Sequence, residues 1–231
     1  MGTAAGGPAI LAIELSQRGG SVMVRSADGH EASEEFPAGR RDRDSLLPAI
    51  DRVVKKIGLA PDRLDVLAVN IGPGGFTGLR ISIATIQGIA EMSQARVVGV
   101  PGAVVAAAAT LDAQSIDDEV LVLLASKGDT AWGTRVRCRD GHWEIQETPG
   151  LLRGFDGAPP SLALGDEHLP EKLREDLVAA GVQVMPPKFS AGAVLEQGLF
   201  DLDAGKTIEP AALAPLYPRE PEAVRIWREI R

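Results

Sequence analysis

The feature that most constrains this chain runs from residue 64 to residue 93, where "LDVLAVNIG" passes through a glycine-rich elbow into "LRISIATIQGIAEMS". The first stretch is aliphatic and bounded by turn signals, which reads as a strand. The last is a helix, since its apolar residues recur every three or four positions. Between them stand Gly72, Pro73, Gly74, Gly75 and Gly78. A glycine loop between a strand and a helix N-terminus is a setting where main-chain N–H groups and the helix dipole can hold an anion. This loop lacks the Gly-Lys-Ser/Thr ending of a P-loop, does not fit Gly-x-Gly-x-x-Gly and carries no lysine. Two readings stand: a phosphate contact through Gly74, Gly75 and Thr77, or an elbow that only launches the helix.

The helix itself is apolar on two sides. Leu79, Ile83, Ile86 and Ala90 share one face, while Ile81, Ala84, Gly88 and Met92 lie largely on another. Such a helix needs cover on both. One face takes its own sheet. A second helix is predicted over 44–59, with Leu46, Leu47, Ile50, Val53, Val54 and Ile57 on one face, Asp44 as N-cap, Pro48 in the first turn and Gly58 as the stop. It could cover the other face but needs a sheet of its own, so a face left for another chain and full burial in one subunit both remain open. Arg80 sits near the helix start, where its cation opposes the dipole, which points to a carboxylate partner or to plain solvation.

Elsewhere, 10–16 and 21–26 read as a hairpin and 96–100 as a strand closed by Pro101. Residues 121–142 repeat the order of 11–30, strand, polar turn, strand and Asp-Gly-His, which suggests two lobes on one plan; two unrelated hairpins are the plainer alternative. Residues 149–161 read as a surface loop, 169–181 and 190–200 as helices, the latter with Ser190 as N-cap. The tail is proline-rich up to Pro221 and ends in a short helix with Val224, Trp227 and Ile230 on one side.

Composition removes several function classes. The 231 residues are 45% apolar and 24% charged, the balance of a globular protein with a real core. A net charge of −8 argues against a free-standing nucleic-acid binder. Cys138 is the one cysteine, so neither a disulfide within the chain nor a Cys-based metal site is expected. Arg137 and Arg139 could lower its pKa, but no histidine neighbours it in sequence, and a nucleophilic role is disfavoured. The N-terminus has no basic region ahead of an apolar core, and no apolar run is long enough to span a bilayer; the expectation is a cytoplasmic protein with no membrane contact. His30, His142 and His168 stand far apart, without the His-x-x-x-His pairing of a metallopeptidase, and His30 and His142 read as surface turn residues.

The runs "ILAIELS", "DSLLPAIDRVVKKIGL" and "NIGPGGFTGLRISIATIQGIA", followed by "VVGVPG", closely resemble the bacterial TsaB (YeaZ) family of tRNA threonylcarbamoyladenosine biosynthesis; Gly72 to Arg80 is the specific part. The tail "LAPLYPREPEA" is similar to the family's Pro-x-Tyr-x-Arg ending. The resemblance is strong over roughly 10–102 and 213–223 and faint between. It implies an α/β, two-lobed actin-like/Hsp70-like (ASKHA) fold, each lobe a mixed sheet with flanking helices. The expected division is an N-terminal lobe over 1–104, a divergent lobe over 105–204 and a tail over 205–231 returning to the first lobe.

The resemblance further implies a non-catalytic subunit that pairs with a larger TsaD-like catalytic subunit and with a TsaE-like ATPase, forms a homodimer in isolation and meets tRNA only indirectly. No metal and no tightly bound cofactor are implied, with ATP or ADP admitted at the complex interface. The helices matching 45–57 and 79–92 would form that interface, through Leu47, Ile50, Val54, Arg80, Ile81, Ala84, Gly88 and Met92. The chain departs from the family at Glu14, where aspartate is usual, at Leu124 to Asp129, where Asp-Ala-Arg-x-Gly-Glu is frequent, and at Arg43-Asp44-Ser45, where His-Ser-Glu is. A phosphotransferase of the same fold would need acids from both lobes around Mg-nucleotide. Glu14 could serve beside Gly74, Gly75 and Thr77, but its counterpart is Leu124, and Asp129 and Asp166 read as turn residues. Phosphotransferase-like and metallopeptidase-like activities are therefore the alternatives to the adaptor.

Overall fold

Residues 10–13 and 66–69 are apolar at every position, the pattern of strands covered on both faces, and they form the middle of the first sheet. In the computed structural model, which describes residues 6–37, 45–112, 119–126, 128–217 and 227, β1 (Ile10–Glu14) pairs antiparallel with β2 (Gly19–Arg25). β3 (Glu31–Pro37) adds to β2, and β4 (Val66–Gly72) lies parallel to β1 on its other side, with β5 (Arg96–Pro101) beyond it. The strand order is β3-β2-β1-β4-β5. β3 has no apolar run to announce it; as an edge strand it buries only Ala32 and Phe36, turns Glu31 and Glu35 outward and pairs Glu34 with Arg52 of the neighbouring helix.

The second sheet follows the same plan. β6 (Glu119–Ser126) and β7 (Thr130–Arg139) form its antiparallel hairpin, and β8 (His142–Ile145) adds to β7 through a turn at Asp140 and Gly141, both left-handed with φ of 52° and 82°. β9 (Gly150–Leu152) also joins β7, β10 (Leu162–Gly165) lies parallel to β6, and β11 (Gln183–Met185) is beyond it. Both sheets thus place a parallel strand beside the first strand of a hairpin, as the echo between 11–30 and 121–142 suggests. Residues 149–161, expected as a loop, include the short strand β9.

Five helices, counted among the described residues, pack on these sheets. α1 (Leu46–Lys56) and α2 (Phe76–Ser93) cover the outer face of the first sheet, α1 on β2 and β3, α2 on β4 and β5. α3 (Gly102–Thr110) and α5 (Ala191–Asp203) lie between the two sheets, and α4 (Glu171–Ala179) covers the outer face of the second. α3 is apolar all round because it is walled in on all sides. β1 shows the two-layer logic residue by residue: Ile10 and Ala12 face the interlobe core, Leu11 and Ile13 the α1–α2 side.

The helix ends obey local rules. α1 closes with Gly58 at φ 67°, the Gly58 N–H donating to Lys55 O and the Leu59 N–H to Val54 O, a Schellman stop. Ser190 caps α5 by accepting from the Ala193 N–H. Ser45 stands at the N-cap of α1 without a side-chain bond, and the expected cap, Asp44, lies outside the described residues. Of the expected terminal helix, only Trp227 is described. α2 begins at Phe76, three residues before the predicted start, because Gly75 takes the extended N-cap position and Phe-Thr-Gly becomes the first turn.

Candidate functional site

β1 ends on a buried carboxylate. Continuing the alternation of Ile10 and Ala12, Glu14 points to the interlobe side of the sheet and is 1% exposed. A carboxylate so placed must be hydrogen-bonded. Its Oε1 accepts from the Ser16 main-chain N–H at 2.8 Å and the Ser16 hydroxyl at 2.6 Å, and Oε2 accepts from Asn70 Nδ2 near the end of β4. Burial raises the Glu14 pKa from its ordinary value, opposed by these three donors.

The same residues hold the glycine elbow. Asn70 Oδ1 accepts from the Gly72 N–H at 2.7 Å, and the Ser16 carbonyl accepts from the Gly75 N–H at 2.7 Å. The β1–β2 turn presses so closely on the loop that a Cβ at Gly74 would stand 2.5 Å from Ser16 O, and one at Gly78 would stand 2.0 Å from Leu15 O. These glycines therefore make room for another stretch of main chain. Of the residues grouped as a phosphate contact, the Glu14 carboxylate and the Gly75 N–H are engaged within the chain, Gly74 lies against Ser16, and Thr77 is exposed on the first turn of the helix.

Beyond the elbow, α2 has the two faces its sequence predicts. Leu79, Ile83, Ile86 and Ala90 are buried. Ile81 at 42%, Met92 at 78%, Ala84 and Gly88 face outward. Of the α1 residues grouped with them by sequence, Leu47 is exposed, whereas Ile50 and Val54 are buried against the first sheet and contribute no outer surface. The three share one helical period, and the sheet beneath α1 buries Ile50 and Val54 while leaving Leu47, in the first turn, exposed.

Arg80, read from sequence as either carboxylate-paired or solvated, meets two aromatic side chains. Among the described residues, its guanidinium lies 3.8 Å from the Phe76 ring centroid and donates through Nε to Tyr217 Oη at 3.1 Å, and the Phe76 and Tyr217 rings stack at 5.7 Å. The chain reaches Tyr217 along α2. Ile208 bridges to Val97, Gln87 donates to Pro210 O and Leu213 O, Leu213 is buried, and the Leu216 N–H donates to Ile71 O. Nothing in local sequence links residue 80 to residue 217.

The remaining candidates are placed elsewhere. Leu124 stands on β6 in the interlobe core. Asp129, at φ 49°, belongs to the β6–β7 turn, and Asp166 Oδ1 accepts from the His168 N–H at the end of β10, so both are turn residues. Cys138 is buried and free, and burial raises its pKa. His30 is an exposed turn residue beside Asp28. His142 corrects the expectation: it is half-buried, lies 3.3 Å from Asp201 and stacks on Phe200 at 5.2 Å. It lines a cavity of about 470 Å³ with Glu144, Asp201, Lys206, Pro101 and Ile208, in which Lys206 and Asp201 pair at 2.9 Å. Among the described residues there is no group of three or more His, Cys, Asp or Glu that could hold a metal ion, and no helix is long and apolar enough to cross a membrane.

Paired mixed sheets on one plan, two helices between them and a bare helical stripe on one lobe define a two-lobed α/β protein of the actin-like/Hsp70-like class. A sequence model described as TsaD, tRNA N6-adenosine threonylcarbamoyltransferase, matches residues 37–135. The "tRNA threonylcarbamoyladenosine biosynthesis protein TsaB" of Escherichia coli K12 is 26% identical, covering 96% of this chain and 97% of its own length. The protein of the same name from Haemophilus influenzae is 27% identical over 55% of this chain and 54% of its own length. Among solved structures, YeaZ from Pseudomonas aeruginosa superposes with a TM-score of 0.75 at 22% identity, over 91% of this chain and 100% of that one. Another, titled an uncharacterized protein with similarity to peptidase YEAZ from Pseudomonas aeruginosa, gives 0.77 at 22% identity, over 92% of this chain and 100% of that one. The chain is thus similar over nearly its whole length to a TsaB protein and shares the fold of YeaZ.

Proposed function

We propose that this chain takes part in tRNA threonylcarbamoyladenosine biosynthesis as a non-catalytic partner subunit, docking a TsaD-like catalytic subunit through the outer face of α2. The observation that carries the reading is the stripe of Ile81, Ala84, Gly88 and Met92, apolar and exposed on a helix whose other face is fully engaged by its sheet. Gly88 and Ala84 flatten the middle of the stripe, so a second helix can approach closely, while Ile81 and Met92 supply apolar side chains toward its ends. Leu47, Arg80 and the Phe76–Tyr217 stack are exposed groups assigned to the rim. Without the partner, the same stripe pairs two copies of the chain in the cytoplasm, since a self-complementary apolar face favours a symmetric dimer.

The distribution of the histidines and of the interlobe acids supports the partner reading over a catalytic one. His30, His142 and His168 belong to three different parts of the fold, and the interlobe position matching Glu14 is apolar. ATP or ADP, where the pathway uses it, is assigned to the composite interface and to a TsaE-like ATPase. The test mixes the purified chain with the TsaD-like subunit of the same genome and measures association, then assays threonylcarbamoyl transfer to tRNA with and without the chain. Association that Ile81→Asp abolishes, together with dependence of transfer on the chain, is expected. Transfer unchanged by omitting the chain, or turnover of Mg-ATP by the chain alone, would overturn the reading.

A further inference from the structure

We propose that Glu14, Ser16 and Asn70 are positioning residues for the docking helix: a buried polar brace that fixes the glycine elbow and so sets where the α2 stripe points. This deepens the partner-subunit reading and rests on it.

The brace is a closed circuit through three chain segments. Glu14 ends β1, Ser16 opens the β1–β2 turn and Asn70 lies two residues before the end of β4, all buried. Every group facing the Glu14 carboxylate is a donor: the Ser16 N–H, the Ser16 hydroxyl and the Asn70 amide. The acceptors left over point to the elbow, with Asn70 Oδ1 taking the Gly72 N–H and the Ser16 carbonyl taking the Gly75 N–H. Gly75 is the N-cap of α2, so the last bond of the circuit is made by the residue from which the helix starts. The glycines at 74 and 78 let the Leu15–Ser16 main chain lie directly against this start. α2 is thereby anchored at its first turn by the brace and along its inner face by apolar packing, leaving the outer stripe in one orientation. A carboxylate used this way is a structural acceptor and carries no phosphate or metal chemistry.

The donor and acceptor pattern supplies its own test. In Glu14→Gln, the new amide meets the Asn70 amide, donor against donor. In Asn70→Asp, two carboxylate oxygens meet, acceptor against acceptor. In the exchange Glu14→Gln with Asn70→Asp, the amide and carboxylate swap sides and the bond is restored with unchanged net charge. The three variants and wild type, as full chains, are compared for affinity to the TsaD-like subunit and for hydrogen exchange of the Gly75 amide in the chain alone. Each single variant is expected to weaken association by about tenfold and to speed Gly75 exchange by a similar factor, and the exchanged pair to recover to within about threefold of wild type. Single variants that bind and exchange as wild type, or a pair whose losses simply add, overturn the brace. Ser16→Ala, which removes only the hydroxyl, gives the same reading if a single variant fails to fold. Should wild type fail to bind the TsaD-like subunit, the partner reading falls, while Gly75 exchange still decides the brace.

Discussion

Truncating Met92 tests the docking face most directly, because this side chain is 78% exposed on a helix that is otherwise well anchored. Fully burying a methionine or isoleucine contributes about 1.5–3 kcal/mol, so covering the exposed share of Met92 in a complex is worth about 1.2–2.3 kcal/mol. Met92→Ala should therefore weaken association roughly 7-fold to 50-fold. Ile81, at 42% exposure, gives about 0.6–1.3 kcal/mol by the same argument. The isolated chain should barely notice Met92→Ala, since alanine is at least as good a helix former and little buried contact is lost, whereas Ile81→Ala also gives up the buried share of its side chain and should lower the melt. Isothermal titration against the TsaD-like subunit measures the first effect, and thermal melting of the chain alone measures the second. An affinity for the double variant Ile81→Ala/Met92→Ala within twofold of wild type, with the chain still folded at the assay temperature, would show that this stripe is not where the partner sits.

Gly78→Ala is expected to cost about 3 kcal/mol or more, because its Cβ would lie 2.0 Å from the Leu15 carbonyl and main chain must move to admit it. A melting temperature equal to wild type would contradict the close packing of the elbow. Glu14 predicts a pH dependence. With its folded pKa raised above the ordinary 4.5, the folded chain holds a proton that the unfolded chain has released, so this group's contribution is full below 4.5 and is lost as pH rises through the folded value. Denaturant titrations should show wild type losing ground to Glu14→Gln across that window, and parallel pH profiles would refute the assignment. Ser190→Ala removes the side-chain cap that accepts from the Ala193 N–H at the start of α5 and should lower stability by about 1 kcal/mol, read from the urea midpoint.

Local chemistry made part of this architecture legible. Unbroken aliphatic runs marked β1 and β4, the Gly58 stop marked the end of α1, and the double apolar period of α2 separated its buried face from its bare one. Other parts depend on partners distant in sequence. β3 is charged along its outer side and is a strand because β2 supplies its hydrogen bonds. α3 has no period to detect, since both sheets surround it. Ile50 and Val54 share a period with the exposed Leu47, and only the sheet beneath α1 shows which of them face inward. Glu14 meets Asn70 across 56 positions and Arg80 meets Tyr217 across 137, separations no motif reaches.

The two lobes together show why the elbow of one is braced by a buried carboxylate and that of the other is not. Ile10 pairs with Val66 in the first sheet as Val120 pairs with Leu162 in the second, which sets Glu14 against Leu124, Ser16 against Ser126 and Asn70 against Asp166. The second lobe keeps the turn, because Asp166 Oδ1 takes the N–H two residues on just as Asn70 Oδ1 does. It also keeps a serine, but its acid position holds Leu124, which packs into the interlobe core beside Val120 and Val122. An aspartate at 166 needs donors, so a carboxylate facing it from 124 would set two acceptors together without a proton between them. Asparagine at 70 instead offers the amide that a buried glutamate requires. The acid of the first lobe and the leucine of the second are thus each matched to the residue across the sheet. Among the described residues, the first elbow is thus the one closed by a buried hydrogen-bond circuit, and α2, which follows it, carries the exposed stripe of Ile81, Ala84, Gly88 and Met92.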